Sequence, residues 1–335
     1  MTNERPELLT DLLKQVSRSF YLTLRVLPKA VRPQIGLAYL LARTTDTVAD
    51  TGIIPLERRL EALQALRERI LQTSKRSLNF AEFAESQASP AERALLERSE
   101  EALSLLAQQR PEDRKLIAQV LDVITSGQEL DLRRFSSATP DNIIALSNEA
   151  ELDDYTHRVA GCVGEFWTRI CRTHLFPEDT LDDSFLLTNG IRFGKGLQLT
   201  NILRDLPQDL RSGRCYLPGK LLAQQRLSPA DLLDPSNEGR FRPVYDEHLE
   251  LAESELRAGW NYTLALPPRH VRVRLACAWP ILIGLETIRL LHHGQILEGG
   301  PRIKVSRASV RRILWRSVAL YPFKDSWSRL PGAAG

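Results

Sequence analysis

Along most of the chain, apolar residues recur at helical spacing. In residues 56–73, LERRLEALQALRERILQT, Leu56, Leu60, Leu63, Leu66, Ile70 and Leu71 fall on one face and the charges on the other. The same style returns over 91–109 and 114–124, with Pro90 and Pro111 as helix-start punctuation. Further helices are predicted over 179–206, 245–264, 270–292 and 306–320. No stretch alternates convincingly as a strand. Breaks rich in Gly, Pro, Ser or Asp fall at 52–55, 86–90, 136–140, 213–219, 234–243, 267–268 and 299–301. None is long enough for an interdomain linker, and no repeat or low-complexity tract interrupts the pattern. An all-α chain follows, with about ten or more helices in a single large bundle spanning residues 1–335.

Composition narrows the class. With 335 residues, 43% of them hydrophobic, the chain can bury a large core. The longest uncharged apolar run, Leu275 to Leu285, is short of the about 20 residues a membrane span needs, and Glu286 and Arg289 follow it directly. It reads as a buried helix, so no transmembrane helix is expected. The start, MTNERPELLTDLLKQ, carries acids and no secretory pattern. Cys162, Cys171, Cys215 and Cys277 form no CxxC pair, which argues against a disulfide framework or zinc site and for a reduced, cytoplasmic setting.

Net charge is only +3, but residues 301–329 hold eight Lys or Arg against Asp325 alone, which makes that segment +7 and the remainder −4. A basic, partly apolar helix at about 301–320 has two readings. It is a solvated helix packed on the domain edge, or a peripheral contact with anionic lipid at the inner face of a membrane. The tail lacks the interleaved aromatics of a single-strand binder, so nucleic acid is not an expected partner.

Chemistry concentrates in three stretches. In YLLARTTDTVAD (39–50), Tyr39, Arg43, Asp46 and Asp50 are offset by 4, 3 and 4 and share one helical face. One DxxxD alone is most often a solvated face, and like charges at i, i+4 destabilise a helix. In NILRDLPQDLRSGRCYLP (201–218), however, Asp205 and Asp209 repeat the spacing, with Gln198 and Asn201 extending the face. Two such pairs, each flanked by apolar helix and arginine, suit hard Mg²⁺ sharing its coordination with a substrate diphosphate. Arg18, Arg43, Arg204 and Arg214 are natural forks for phosphate oxygens. The third stretch, YTHRVAGCVGEF (155–166), puts Tyr155, Val159, Cys162 and Phe166 on one face, while Gly161 and Gly164 permit close helix contact. P-loop, GxGxxG, GxSxG and HExxH patterns do not occur.

Taken in order, SRSF (17–20), DTVAD (46–50), YTHRVAG (155–161), NILRDLPQD (201–209), GRCYLP (213–218) and CAWP (277–280) resemble the squalene/phytoene synthase family, the head-to-head prenyl condensing enzymes. The resemblance covers about residues 15–320. It implies the all-α isoprenoid synthase fold, with two aspartate-rich motifs facing each other across a central active-site cavity. It further implies that Asp46, Asp50, Asp205 and Asp209 hold two or three Mg²⁺ ions, and that Ser17, Arg18, Ser19, Arg43, Arg204 and Arg214 contact diphosphate. Asn201 flanks the second motif, Tyr39 lines the cavity, and Tyr155 matches the family tyrosine that assists proton removal and steadies a cation. Two positions depart from the pattern. Ala49 and Thr51 surround Asp50 where the family often carries an extra acid, and Pro207 lies between the second pair of aspartates. Pro207 predicts a bent or ended helix there.

The implied activity joins two farnesyl diphosphates through presqualene diphosphate to squalene, with NADPH as reductant. Alternatives in the same fold are a phytoene or dehydrosqualene synthase and a presqualene diphosphate synthase without reduction. A scaffold or assembly protein without catalysis is the alternative of another class. No nicotinamide site is visible in the sequence. The absence of the C-terminal membrane helix of eukaryotic members suggests a bacterial-type enzyme that touches the bilayer to deliver its product.

Overall fold

A computed structural model of the chain describes residues 7–17, 20–298 and 302–332. These fall into two compact units, one of residues 1–136 and 166–179, the other of residues 137–165 and 180–335. The first contains α1 (Asp11–Val16), α2 (Phe20–Val26), α3 (Arg32–Asp50), α4 (Leu56–Ile70), α5 (Ala81–Glu85), α6 (Pro90–Glu97), α7 (Ser99–Ala107) and α8 (Pro111–Arg134). The second contains α9 (Glu149–Thr156), α11 (Asp183–Arg211), α12 (Gly219–Gln224), α13 (Glu238–Ala265), α14 (Val271–His293), α15 (Arg307–Ala319) and α16 (Lys324–Ser328). The chain runs from one unit to the other within α10 (Cys162–Leu175).

In the first unit α3 is the central helix. Leu37, Leu40, Leu41 and Val48 are completely buried, packed with α4, α7 and α8 through side chains such as Leu63, Leu66, Ile117 and Leu121. The predicted helix over 91–109 is two helices broken at Arg98, where neither Gly nor Pro marks the sequence. Ser89 caps the first by accepting from the Glu92 N–H. At the start of α8, buried Asp113 is satisfied by His174 at 2.7 Å and Gln34 at 3.3 Å, so its burial leaves no orphaned oxygen.

The second unit is organised on the packing of the long helices α11, α13 and α14 against one another. Among the described residues, α14 is the one helix long and apolar enough to cross a membrane; 67% of its apolar window is buried within the protein, as expected of a core helix. Two short strands were not expected. β1 (Ile144–Leu146) and β2 (Arg214–Pro218) pair in parallel, with Ile144 opposite Arg214. Leu146, Cys215 and Leu217 are fully buried there. Gly213, at φ 82°, takes the left-handed conformation that ends α11 and turns the chain into β2.

The segment 155–166 is not one uniform α-helix. A π-helical turn, His157–Gly161, separates α9 from α10 and packs against α11. The close contact expected at Gly164 is present: a Cβ there would lie 1.8 Å from the Gly190 carbonyl oxygen, and one on Gly194 would lie 2.1 Å from that of Ala160. Side chains at these points would push the π turn off α11.

Pro207 does not end its helix. α11 continues to Arg211. Proline has no N–H to give to the Leu203 carbonyl one turn back. The hydroxyl of Tyr245, a completely buried side chain of α13, donates to that oxygen at 3.0 Å instead. The Tyr245 phenol is thereby used as a replacement backbone donor, and burial pushes its pKa well above the usual tyrosine value. Tyr245→Phe should leave the Leu203 oxygen unsatisfied and lower stability by about 1–3 kcal/mol in urea unfolding. In a Pro207→Ala background, where an N–H is restored, the same substitution should cost clearly less. Equal losses in the two backgrounds would disprove the compensation.

Candidate active site

The first aspartate pair stands at the C-terminal end of α3. Asp46 receives a hydrogen bond from the Gln128 side-chain amide of α8, and the Arg43 guanidinium lies 3.8 Å from its other oxygen. Arg43 is itself paired with Glu92 of α6. Burial opposes the Arg43 charge, but Glu92 and Asp46 more than offset it and raise its pKa. Tyr39 is half-buried on the same face, its hydroxyl donating to the Val16 carbonyl at 3.3 Å. Asp50 is exposed at the helix end. Ser17 is buried, and its hydroxyl finds no hydrogen-bond partner among the described residues. Arg18 and Ser19 lie outside the described residues.

Burial first, and then the like charge of Asp50, push the Asp46 carboxyl from 3.8 to about 6; Arg43 and Gln128 pull it back. Water over 46% of the side chain screens part of that push. The same exposure leaves the carboxylate accessible to a ligand.

The second pair lies in the last two turns of α11, in the other unit. Arg204 grips its neighbour Asp205 with two hydrogen bonds, of 2.9 and 2.8 Å. Arg302, which follows directly on the undescribed residues 299–301, pairs with the same carboxylate. Asp209, Gln198, Asn201 and Arg214 are all half-buried. Arg204, Gln208, Arg211, Gln295 and Arg302 line a pocket beside Asp205, two of whose three guanidinium groups, Arg204 and Arg302, are paired with that carboxylate. Such a pocket suits an anion. β2 carries the remaining candidate into place: Tyr155, at the end of α9, stacks on Tyr216, with ring centroids 4.8 Å apart and planes 26° apart. The π turn begins two residues later.

Gln128, Glu92 and Arg302 touch the predicted site residues without having been singled out in the sequence. Gln128 and Glu92 belong to helices distant in sequence from α3, and the meeting is tertiary. Arg302 belongs to the basic tail, whose charge was visible but whose partner was not.

The donor set fits a hard cation. Each pair offers carboxylate oxygens one helical turn apart; the sulfur near Asp209, that of Cys215, is buried and held protonated, its pKa pushed up to about 12 by burial. Among the described residues no group of three or more His, Cys, Asp or Glu converges on one point. Two carboxylates leave most of an octahedral shell to water and diphosphate oxygens, the arrangement Mg²⁺ favours.

A profile of the squalene/phytoene synthase family matches residues 13–309. The squalene synthase of Saccharomyces cerevisiae is 28% identical over 296 residues, 88% of this chain and 63% of that protein. A presqualene diphosphate synthase of Rhodopseudomonas palustris is 32% identical over 213 residues, 64% of this chain and 62% of that one. The chain thus spans a little under two thirds of the length of both. A phytoene synthase of Arthrospira platensis is 30% identical over 84% of this chain and 81% of its own length. Among solved structures, a ligand complex of TcSQS superposes with a TM-score of 0.76 at 21% identity, over 98% of this chain and 99% of that one. The squalene synthase HpnC of Alicyclobacillus acidocaldarius gives 0.62 at 19% identity, over 86% and 93%. The structural likeness shows the isoprenoid synthase fold expected from the sequence.

Between 3.8 and about 6, the folded chain holds a proton on Asp46 that the unfolded chain has released. The stability of the metal-free protein should therefore fall as pH rises through that window. Asp46→Asn removes this contribution. Urea midpoints measured in chelator, below and above the window, should differ less for the variant than for the wild type; an unchanged difference would mean that Asp46 does not titrate there.

Proposed function

The chain belongs to the squalene/phytoene synthase family, and from that premise we propose that it condenses two farnesyl diphosphates through presqualene diphosphate to squalene, with NADPH as reductant. The observation that carries the reading is the repeated site unit: an i, i+4 aspartate pair with a guanidinium against its first member, Arg43 at Asp46 and Arg204 at Asp205. A protein that only scaffolds has no use for two accessible carboxylate pairs held beside arginines.

Bound Mg²⁺ would stabilise the negative charge that develops on the departing diphosphate. Each pair would hold such ions in its own unit, Asp46 and Asp50 in the first and Asp205 and Asp209 in the second, and Arg43 in the first and Arg204, Arg214 and Arg302 in the second would take diphosphate oxygens in bidentate fashion. Arg204 and Arg302 now spend their donors on Asp205. Substrate binding would redistribute those hydrogen bonds from carboxylate to diphosphate. Ser17, whose hydroxyl has no partner among the described residues, would be a further diphosphate donor in the first unit.

The first half-reaction breaks the C–O bond of one farnesyl diphosphate. The allylic cation is captured by the double bond of the second molecule, and loss of a proton closes the cyclopropane. The stacked rings of Tyr155 and Tyr216 would steady the cation through their aromatic faces, and the Tyr155 hydroxyl would assist removal of the proton. In the second half-reaction the cyclopropylcarbinyl diphosphate ionises and rearranges. NADPH would supply the hydride that quenches the final cation.

The test is a product assay with farnesyl diphosphate and Mg²⁺, with and without NADPH. Squalene formed only with NADPH is the expected result. Dehydrosqualene under both conditions would move the enzyme to the carotenoid branch, and presqualene diphosphate under both would end the reaction at its first half. Asp46→Asn and Asp205→Asn should each lower diphosphate release at least about 100-fold. Full activity in either variant would remove the metal role assigned to that pair.

A further inference from the structure

Helix α15 (Arg307–Ala319) has two unlike sides. The inner side is tied down by tryptophans: the Trp279 indole N–H donates to the Ser317 hydroxyl at 2.9 Å, and that of Trp327 donates to the Ser317 carbonyl at 3.0 Å. Ser317 is completely buried, and Ile313 and Leu314 are half-buried beside it. Trp327 stacks in turn on Trp260, which fixes α16 to the core of the unit.

The outer side is covered by nothing in its own unit. Trp315 is 75% exposed, Val318 53%, and Phe323, just past the helix, 62%. Trp315 is the one exposed tryptophan of the five in the sequence. Arg311, Trp315 and Val318 follow offsets of 4 and 3 and so form one stripe. Three bulky apolar side chains left in water within nine residues of chain mark an interaction surface rather than chance exposure.

Charge selects the partner. α15 carries Arg307, Arg311, Arg312 and Arg316 and no acid, and the described segment 302–332 contains Asp325 as its sole acidic residue. Glu286, on α14 and near Arg312, is already held by Arg289 at 2.8 and 2.9 Å, so it leaves most of this charge in place. A second copy of the chain docked through this face would set two strongly positive segments against each other. An anionic bilayer meets both demands at once: it attracts guanidinium groups to its headgroups and accepts aromatic rings at the level of the acyl boundary.

We propose that the Trp315–Val318–Phe323 stripe, rimmed by Arg311, Arg312 and Lys324, docks this protein on an anionic lipid surface, with α15 lying in the plane of the interface. The inference stands apart from the identity of the product and uses no residue of the aspartate sites.

Flotation of the full chain with vesicles tests it. Binding is expected to vesicles of phosphatidylcholine mixed with phosphatidylglycerol, weak binding to phosphatidylcholine alone, and release by salt. Trp315→Ser should lower partition about tenfold, and Arg311→Gln and Arg312→Gln about fivefold for each charge removed. Circular dichroism identical to the wild type would separate these effects from misfolding. Trp315→Phe supplies a second readout. It should bind nearly as the wild type does, yet lose the fluorescence quenching caused by lipids brominated in the acyl chain. Equal binding to neutral and anionic vesicles, or quenching that persists in Trp315→Phe, would overturn the proposal. So would a wild-type dimer in vesicle-free solution that Trp315→Ser converts to monomer, because the stripe would then belong to a second copy.

Discussion

Two carboxylates one turn apart on a helix repel each other, and much of the local structure around each aspartate pair answers that repulsion. Asp46 and Asp50 end a helix whose preceding turns are mostly buried, so the pair is carried by a well-packed element. Arg43 and Gln128 then compensate Asp46 from two directions, and Glu92 holds Arg43 in place. Around Asp205 the compensation is stronger, with two guanidinium groups on one carboxylate. The two pairs are therefore electrostatically unlike in the metal-free chain. Asp46 is poorly neutralised and drawn toward protonation, whereas Asp205 is satisfied by arginines that a diphosphate would compete for.

Holding the second pair on a helix required a solution to Pro207. An unbonded carbonyl inside a buried helix would favour fraying just where Asp209 must stay in register with Asp205. The Tyr245 hydroxyl removes that penalty from the side, and α13 thereby fixes α11 at its most vulnerable turn. On the other flank of α11, the contacts of Gly164 and Gly194 bring the π turn within backbone distance. Tyr155 is placed by that close approach and by its stack on Tyr216. The positions of the aspartates and of the tyrosine thus depend on one helix held from two sides.

The helices were legible because burial imposes a 3.6-residue period, which α4 shows plainly, whereas α13 begins at Glu238, inside the break expected at 234–243, and runs through Pro243. The aspartate pairs were legible because i, i+4 acids on apolar helices contradict local stability and so call for another cause. What escaped has no local period. β1 and β2 have three and five residues, too few for alternation to register, and their pairing joins residues about seventy positions apart. The π turn inserts into a helix without a breaker that differs from an ordinary glycine. Continuation through Pro207 depends on a donor from another helix, and Gln128 reaches Asp46 across 82 positions. These features are tertiary, and a chain read one window at a time does not contain them.

Arg302 links the second site to the basic tail more tightly than sequence distance suggests. Arg302, in its ion pair with Asp205, stands four positions before Ser306, the residue that caps α15 by accepting from the Ser309 N–H at 3.0 Å. A stretch of that length spans at most about 14 Å even when fully extended. α15 is meanwhile pinned by Trp279 and Trp327, so it cannot follow Arg302 freely. The segment between them is a short tether with one end on a carboxylate and the other on a fixed helix. Any ligand that displaces Arg302 from Asp205 has to be accommodated within that tether, by movement of residues 302–306, while the exposed face of α15 keeps its orientation. The acid site and the exposed stripe of α15 are coupled in position but separable in chemistry.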